Sequence, residues 1–192
     1  MRYADDSVAG FGRKADVHRF LEAFKERRAK FGLALNEEKT RVLEFGRFAI
    51  QHSAQRGLRR PKTFDFLGFT HICATKRANG RFTVKRLTIA KRMCATLKEL
   101  RQTLNRRKHE SIPVIGKWLR SVVQGYFNYH AVPGNDRRLS ALRRDVARVW
   151  LHALRRRGQH GRMPWVRFRR IVARYLPLVW VLHPYPSERF AS

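Results

Sequence analysis

The sequence predicts an α+β chain: short strands, one helix and a hairpin over residues 1–90, then helices alone over 91–192. Three observations predict it. Before residue 90 the apolar residues fall in short β-prone runs, and Asn79-Gly80 between two of them signals a type I′ hairpin turn. From Lys91 the apolar spacing becomes helical, with Met93, Leu97, Leu100 and Leu104 on one stripe. A content of 43% hydrophobic and 11% aromatic residues supplies a core in spite of a formal net charge of +29 over 192 residues.

The elements follow in order. Arg2–Ala4 reads as a strand, Asp5-Asp6 as a turn and Val8–Phe11 as the return strand. Asp16 stands where an N-cap is expected, before Val17, Phe20, Leu21, Phe24 and Phe31 at near-helical spacing. Gly32 suits the C′ position that ends such a helix. Thr40–Phe48 reads as a strand, and the polar, basic residues 51–62 as a loop. Residues 69–77 and 81–88 are expected to pair across Asn79-Gly80. Pro113 opens a helix carrying Ile115, Leu119, Val122, Val123 and Tyr126. Pro133-Gly134-Asn135 is a turn, and Leu139, Leu142, Val146, Val149, Trp150 and Leu154 mark the next helix. Trp165, Phe168, Ile171 and Tyr175 mark a shorter one, after which Pro177, Pro184 and Pro186 keep the chain irregular.

Composition narrows the partner. No apolar run reaches the ~18 residues of a membrane span, the first residues lack a signal-peptide layout, and Cys73 and Cys94 alone make neither a disulfide framework nor a four-cysteine zinc site. Residues 1–50 hold 11 basic and 8 acidic side chains, residues 51–110 hold 16 and 3, and residues 111–192 hold 16 and 3. Such an excess repels itself on compaction, and a polyanion relieves it with release of counterions. Arg outnumbers Lys by 32 to 11. Its planar fork fits phosphate and its flat face fits bases, which points to nucleic acid.

Tyr3-Ala4-Asp5-Asp6 is the tetrad that carries chemistry. Two adjacent carboxylates at a hairpin tip repel each other unless water or a divalent cation neutralises them. In a basic chain, between β-prone residues, they suit Mg²⁺ in phosphoryl transfer; a solvated turn is the alternative use. The order of the later segments adds to this. With this tetrad, Gly32–Thr40 (GLALNEEKT), Phe66-Leu67-Gly68-Phe69, Ser111–His130 and His183-Pro184-Tyr185-Pro186, the chain resembles the group II intron-encoded reverse transcriptases, or maturases, over essentially its whole length.

The resemblance implies an incomplete polymerase palm over residues 1–90, made of antiparallel strands plus a helix, then an all-α thumb bundle, the maturase X domain, over 91–192. It implies that Asp5 and Asp6 are catalytic and bind metal, that Lys39 serves the leaving pyrophosphate, and that Phe66, Leu67, Gly68 and Phe69 form the primer grip. The cofactor implied is Mg²⁺ at a two-ion site, which needs carboxylates from at least two segments. In the family the partner aspartate and the fingers precede the tetrad, and none of the 12 remaining acidic residues lies in a similar motif. The expectation is therefore the C-terminal part of a longer reading frame, with half a metal site, inactive alone and partnered by a missing N-terminal half. Ser7 departs from the pattern, because the family often has an apolar residue there.

The partners implied are group II intron RNA and an RNA template with its DNA primer, in a ribonucleoprotein of the bacterial cytoplasm and with no membrane. Arg106, Arg107, Lys117, Arg120, Arg143, Arg144, Arg155, Arg156 and Arg157 are the candidate RNA contacts, as cations beside apolar helical stripes. Two functions stay open: an RNA-directed DNA polymerase that also promotes splicing, and a maturase remnant that holds structured RNA and catalyses nothing.

Overall fold

The computed structural model describes the backbone of residues 2–3 and, in full, residues 6–157 and 163–184. The chain is α+β and divides into two compact units, Met1–Lys62 and Thr63–Ser192. The boundary expected after residue 90 falls inside the second unit, because the sheet that precedes it is tied to the helices that follow.

In the first unit, β1 (Arg2–Tyr3) pairs antiparallel with β2 (Asp6–Ser7), with Arg2 opposite Ser7 and Tyr3 opposite Asp6. The hairpin is as expected, but its return strand is Asp6–Ser7 rather than Val8–Phe11. Helix α1 (Lys14–Ala29) starts earlier than expected, with Arg13 at the N-cap, which puts Asp16 in the first turn. There its carboxylate faces the positive end of the helix dipole. The helix ends as its glycine predicts. Gly32 has φ +65°, its N–H donates to the Ala29 carbonyl, and Leu33 N–H donates to Arg28, the two bonds of a Schellman motif.

The strand expected over Thr40–Phe48 does not form, and the segment expected as a loop contains helix α2 (Ala49–Gln55). A strand needs a neighbouring edge, and among the described residues of this unit the two-residue hairpin is the only ladder. Ala49, Gln51, Ala54 and Gln55 are helix formers of high propensity, which accounts for α2. Glu44 braces it by bonding both His52 and Arg56. Of the described residues in this unit only Ala49 and Ser53 are buried. Helix α1 buries nothing, and Phe20, Phe31 and Phe48 stay exposed. At roughly 25 cal/mol per Å² of apolar surface removed from water, this unit gains little from a core of its own.

The second unit begins with an antiparallel meander, β3 (Phe64–Phe66), β4 (Phe69–Thr75) and β5 (Phe82–Thr88), in that spatial order. Phe66 pairs with Phe69, and Phe69–Thr75 pairs with Thr88–Phe82. The expected pairing of the long hairpin holds, but its turn is different. Lys76 and Arg81 close a four-residue loop in which Gly80 has positive φ and Asn79 accepts from the Arg81 N–H. The two-residue turn with both central residues at positive φ, as type I′ requires, is instead Leu67-Gly68 at +48° and +80°.

Four helices follow: α3 (Ala90–Arg106), α4 (Ile112–His130), α5 (Asp136–Arg155) and α6 (Trp165–Tyr175). Their apolar stripes meet in one core, where Leu104, Ile115, Leu119, Val146, Trp150 and Phe168 are fully buried. Each such side chain contributes about 1.5–3 kcal/mol. Beyond α6, the described part of the segment expected to be irregular, residues 176–184, has no regular structure and meets the C-terminal end of α4, while Pro186 lies outside the described residues. Leu182 N–H donates to the Ala131 carbonyl, and His183 Nε2 donates to Asn128. Among the described residues no helix is long and apolar enough to cross a membrane.

Sheet and helices are joined at buried Asn135. Its Oδ1 accepts from Thr88 N–H at 3.0 Å, and its Nδ2 donates to Thr88 Oγ1 at 2.7 Å and to the His130 carbonyl at 2.8 Å. Asn135→Ala leaves the Thr88 N–H and the His130 carbonyl without this partner. Urea unfolding should show a loss of about 2–3 kcal/mol; an unchanged midpoint would contradict the role.

Gly116 and Gly125 both lie inside α4, where each costs roughly 1 kcal/mol relative to Ala. A Cβ at Gly116 would lie 2.5–2.7 Å from the Tyr175 ring, whereas one at Gly125 meets nothing within 4 Å. Gly116→Ala should therefore lower the Tm by several degrees, an overpacking cost of about 1–3 kcal/mol. Gly125→Ala should raise it. Equal effects at the two positions would refute the close approach of α4 and α6.

Candidate nucleic-acid interface

The Phe66–Phe69 turn has the most closely defined geometry among the sequence-predicted sites. Leu67 is the one described non-glycine residue with positive φ, a conformation that costs about 1–3 kcal/mol for a side chain of its kind. The second unit holds it there. The Tyr129 hydroxyl donates to the Leu67 carbonyl at 2.8 Å, and Ile89 N–H donates to the Gly68 carbonyl. A Cβ on Gly68 would come within 3.3 Å of Arg92 Nη1, the end of a flexible exposed side chain, and 3.6 Å of Tyr129, so glycine is required there by its φ of +80° and not by space.

Phe66 and Phe69 are buried, and Phe69 stacks on Tyr129 at 5.7 Å between ring centres. His130 stacks on Tyr126 at 4.0 Å and donates from Nδ1 to its carbonyl. The outcome is a rigid, strained turn seated on the C-terminal end of α4. Leu67 keeps partial exposure at its tip, beside the exposed Tyr129 and the exposed cation Arg92.

The expected cationic contacts divide into groups. Arg106, Arg107, Arg155, Arg156 and Arg157 lie at the C-terminal ends of α3 and α5. Thr88 and Asn135 bring together the N-terminal ends of these helices, which pack side by side and so share their far end. Here Arg107 grips Glu110 through Nε and Nη2 at 2.7 and 2.6 Å and lies over the Trp118 ring at 4.8 Å. Lys117, Arg120 and Arg144 are exposed. Arg143 is committed elsewhere, since its guanidinium donates to the Leu176 and Pro177 carbonyls and fastens the segment after α6.

The first unit carries the remaining expected residues. Asp6 is exposed on β2, and Asp5 lies outside the described residues. Lys39 is exposed, with its backbone N–H donating to Asn36 Oδ1. Among the described residues no ion pair joins Asp6 to Lys39; the pairs found in this unit are Lys25–Glu37, His52–Glu44 and Arg56–Glu44. Nor do three potential metal ligands gather anywhere among the described residues.

Sequence reasoning missed three contributors. Arg92 and His130 flank the Phe66–Phe69 turn, and Glu110 organises the cationic end. Only Tyr129 had a signal, as one of several aromatics interleaved with the basic residues. No protein-family model matches this chain, and neither a curated protein nor a solved structure matches it.

Burial holds the half-buried His71 and His130 below the usual histidine range. Their unfolded pKa is about 6.5. Their contribution to stability is thus complete above that pH and is lost as the pH falls through it toward the depressed folded values. Glu110 is held below the usual carboxylate range, first by its hydrogen bonds from Arg107, so its contribution fades only at more acidic pH. Urea midpoints should drop on mild acidification, and the His71→Gln/His130→Gln double variant should flatten that slope. An unaltered slope would acquit both histidines.

Proposed function

We propose that this chain is the RNA-gripping, C-terminal part of a group II intron reverse transcriptase, or maturase. Residues 64–88 act as primer grip and the helices after residue 90 as thumb. The observation that carries this is the Phe66-Leu67-Gly68-Phe69 turn. Its strained backbone is clamped by Tyr129 onto a helical unit rich in arginine, a rigid edge beside cations that suits the sugar-phosphate of a primer. Tyr3-Ala4-Asp5-Asp6 and Gly32–Thr40 precede it in the order the family has.

On this reading the assembled enzyme performs RNA-directed DNA synthesis. Asp5 and Asp6 join a carboxylate from a further segment in holding Mg²⁺, and the partners are intron RNA and a template–primer duplex. The apolar residues that the first unit leaves exposed, Phe20, Phe31 and Phe48 among them, suit burial against that further segment of palm. The compartment that goes with this is the cytoplasm, in a ribonucleoprotein.

Binding to a structured intron RNA should be tight and should weaken roughly 10³-fold or more between about 50 and 200 mM salt. In the protein joined to the segment that supplies the partner carboxylate, Asp5→Ala should abolish primer extension and leave RNA affinity intact. A flat salt response would defeat the RNA-binding part. Undiminished extension by Asp5→Ala would defeat the catalytic part. RNA binding without extension from any template, in that joined protein, would identify a non-catalytic remnant.

A further inference from the structure

The shared C-terminal end of α3 and α5 holds an arrangement that the core does not need. Arg106, Arg107, Lys108, Arg155, Arg156 and Arg157 lie at that end, and two of them, Arg107 and Arg157, interact with one carboxylate, Glu110. Glu110 takes both forward donors of Arg107, Nε and Nη2, in a bidentate pair. It also attracts Arg157 electrostatically. Yet it makes no hydrogen bond with Arg157. In that residue the same two donors, Nε and Nη2, are inaccessible to water and have no partner among the described residues.

A buried, unpaired donor on a charged group costs about 1–3 kcal/mol or more. Here a side chain that could turn out to water keeps two of them. The residue as a whole retains partial exposure, so an anion reaches that edge by a side-chain rearrangement and leaves the core closed. The edge is the one with which Arg107 receives two carboxylate oxygens, and two phosphate oxygens present a matching pair of acceptors.

We propose that this end of the helical unit is a phosphate-binding site in which the Nε–H and Nη2–H edge of Arg157 receives two oxygens of an RNA phosphodiester. Glu110 and Trp118 hold Arg107 in place as the wall of the site, and Glu110 draws Arg157 toward it. Arg106, Lys108, Arg155 and Arg156, all exposed, supply the surrounding potential. The choice of RNA rests on the proposed function above; the anionic ligand rests on the open guanidinium edge itself.

The test uses the full chain and an RNA stem-loop, with binding measured over a range of KCl. Arg157→Gln should weaken binding about tenfold, as expected for the loss of a charged hydrogen-bond pair. It should also reduce the slope of log K against log salt by about 1. Arg77→Gln, at an exposed arginine in the β4–β5 loop, is the charge-matched control and should change affinity less. Arg157→Lys keeps the charge without the fork, so it should retain the slope and lose affinity; circular dichroism checks that each variant is folded.

If Arg157→Gln matches Arg77→Gln while wild type binds RNA well, the site is refuted and the RNA partner survives. A second measurement follows the Arg157 Nε–H resonance of the wild type during titration with inorganic phosphate. If wild type binds no RNA but that resonance shifts with phosphate, RNA as the source of the phosphate is overturned and the anion site stands. No shift with phosphate, and no effect of Arg157→Gln on RNA, would remove the proposal altogether.

Discussion

Asn135 opens α5, where an asparagine ordinarily turns its side chain back to cap the helix it begins. Here the side chain reaches Thr88, the last residue of β5, and the His130 carbonyl at the end of α4. Both amide protons and the carbonyl oxygen of that side chain are engaged, in full burial. That one residue fixes where the sheet ends against two helices. Two consequences follow. Ile89 lies where its N–H can bond the Gly68 carbonyl, so the Phe66–Phe69 turn is held from one side by the start of α3 and from the other by Tyr129 of α4. The α3 and α5 helices start together and therefore finish together, which collects their terminal arginines. Unpaired groups in a buried network are costly, and the Asn135 side chain has partners at both its oxygen and its nitrogen.

The two units solve the problem of charge differently. In the second, the apolar stripes of four helices close over Trp150 and Phe168, and the arginines between the stripes are left facing outward. Repulsion among them is offset by a core of some twenty apolar side chains. The first unit has no such offset. Its charge is better balanced, but its phenylalanines group only loosely, Phe11 with Phe20 at 5.0 Å and Phe20 with Phe24 at 5.6 Å between ring centres. The same lack of partners that leaves α1 bare also leaves residues 40–48 without a ladder.

How much was legible in the sequence follows from the range of each interaction. The helices after residue 90 were readable because their period is self-contained: Met93, Leu100 and Leu104 mark α3 without reference to anything else. Gly32 was readable because a Schellman motif is local. The strand at 40–48 was misread because a β pattern is only a request for a neighbour. The type I′ turn was placed at Asn79-Gly80, where local preference puts it. It forms at Leu67-Gly68, against local preference, because Tyr129 lies 62 residues away in the chain and holds the carbonyl. Asn135 read as an ordinary turn residue for the same reason, its partner Thr88 being 47 residues distant. Among the arginines, sequence gives the clusters; which guanidinium keeps an open edge depends on the position of Glu110.

The geometry of the second unit also restricts how a polyanion can use it. The Phe66–Phe69 turn lies where α3 begins, and the cationic end lies where α3 finishes. Its 17 residues, at 1.5 Å each, separate the two by about 25 Å. That is several times the Debye length of about 8 Å at physiological salt, so the two ends act on a ligand independently unless the ligand itself connects them. A flexible single strand could engage either end alone. A stiff duplex that touches both has to run along the helices. Its rigidity then converts two separate contacts into one bivalent attachment, in which the second contact forms at high effective concentration. On the proposed function, a continuous phosphate backbone can occupy both ends at once, which an isolated anion cannot.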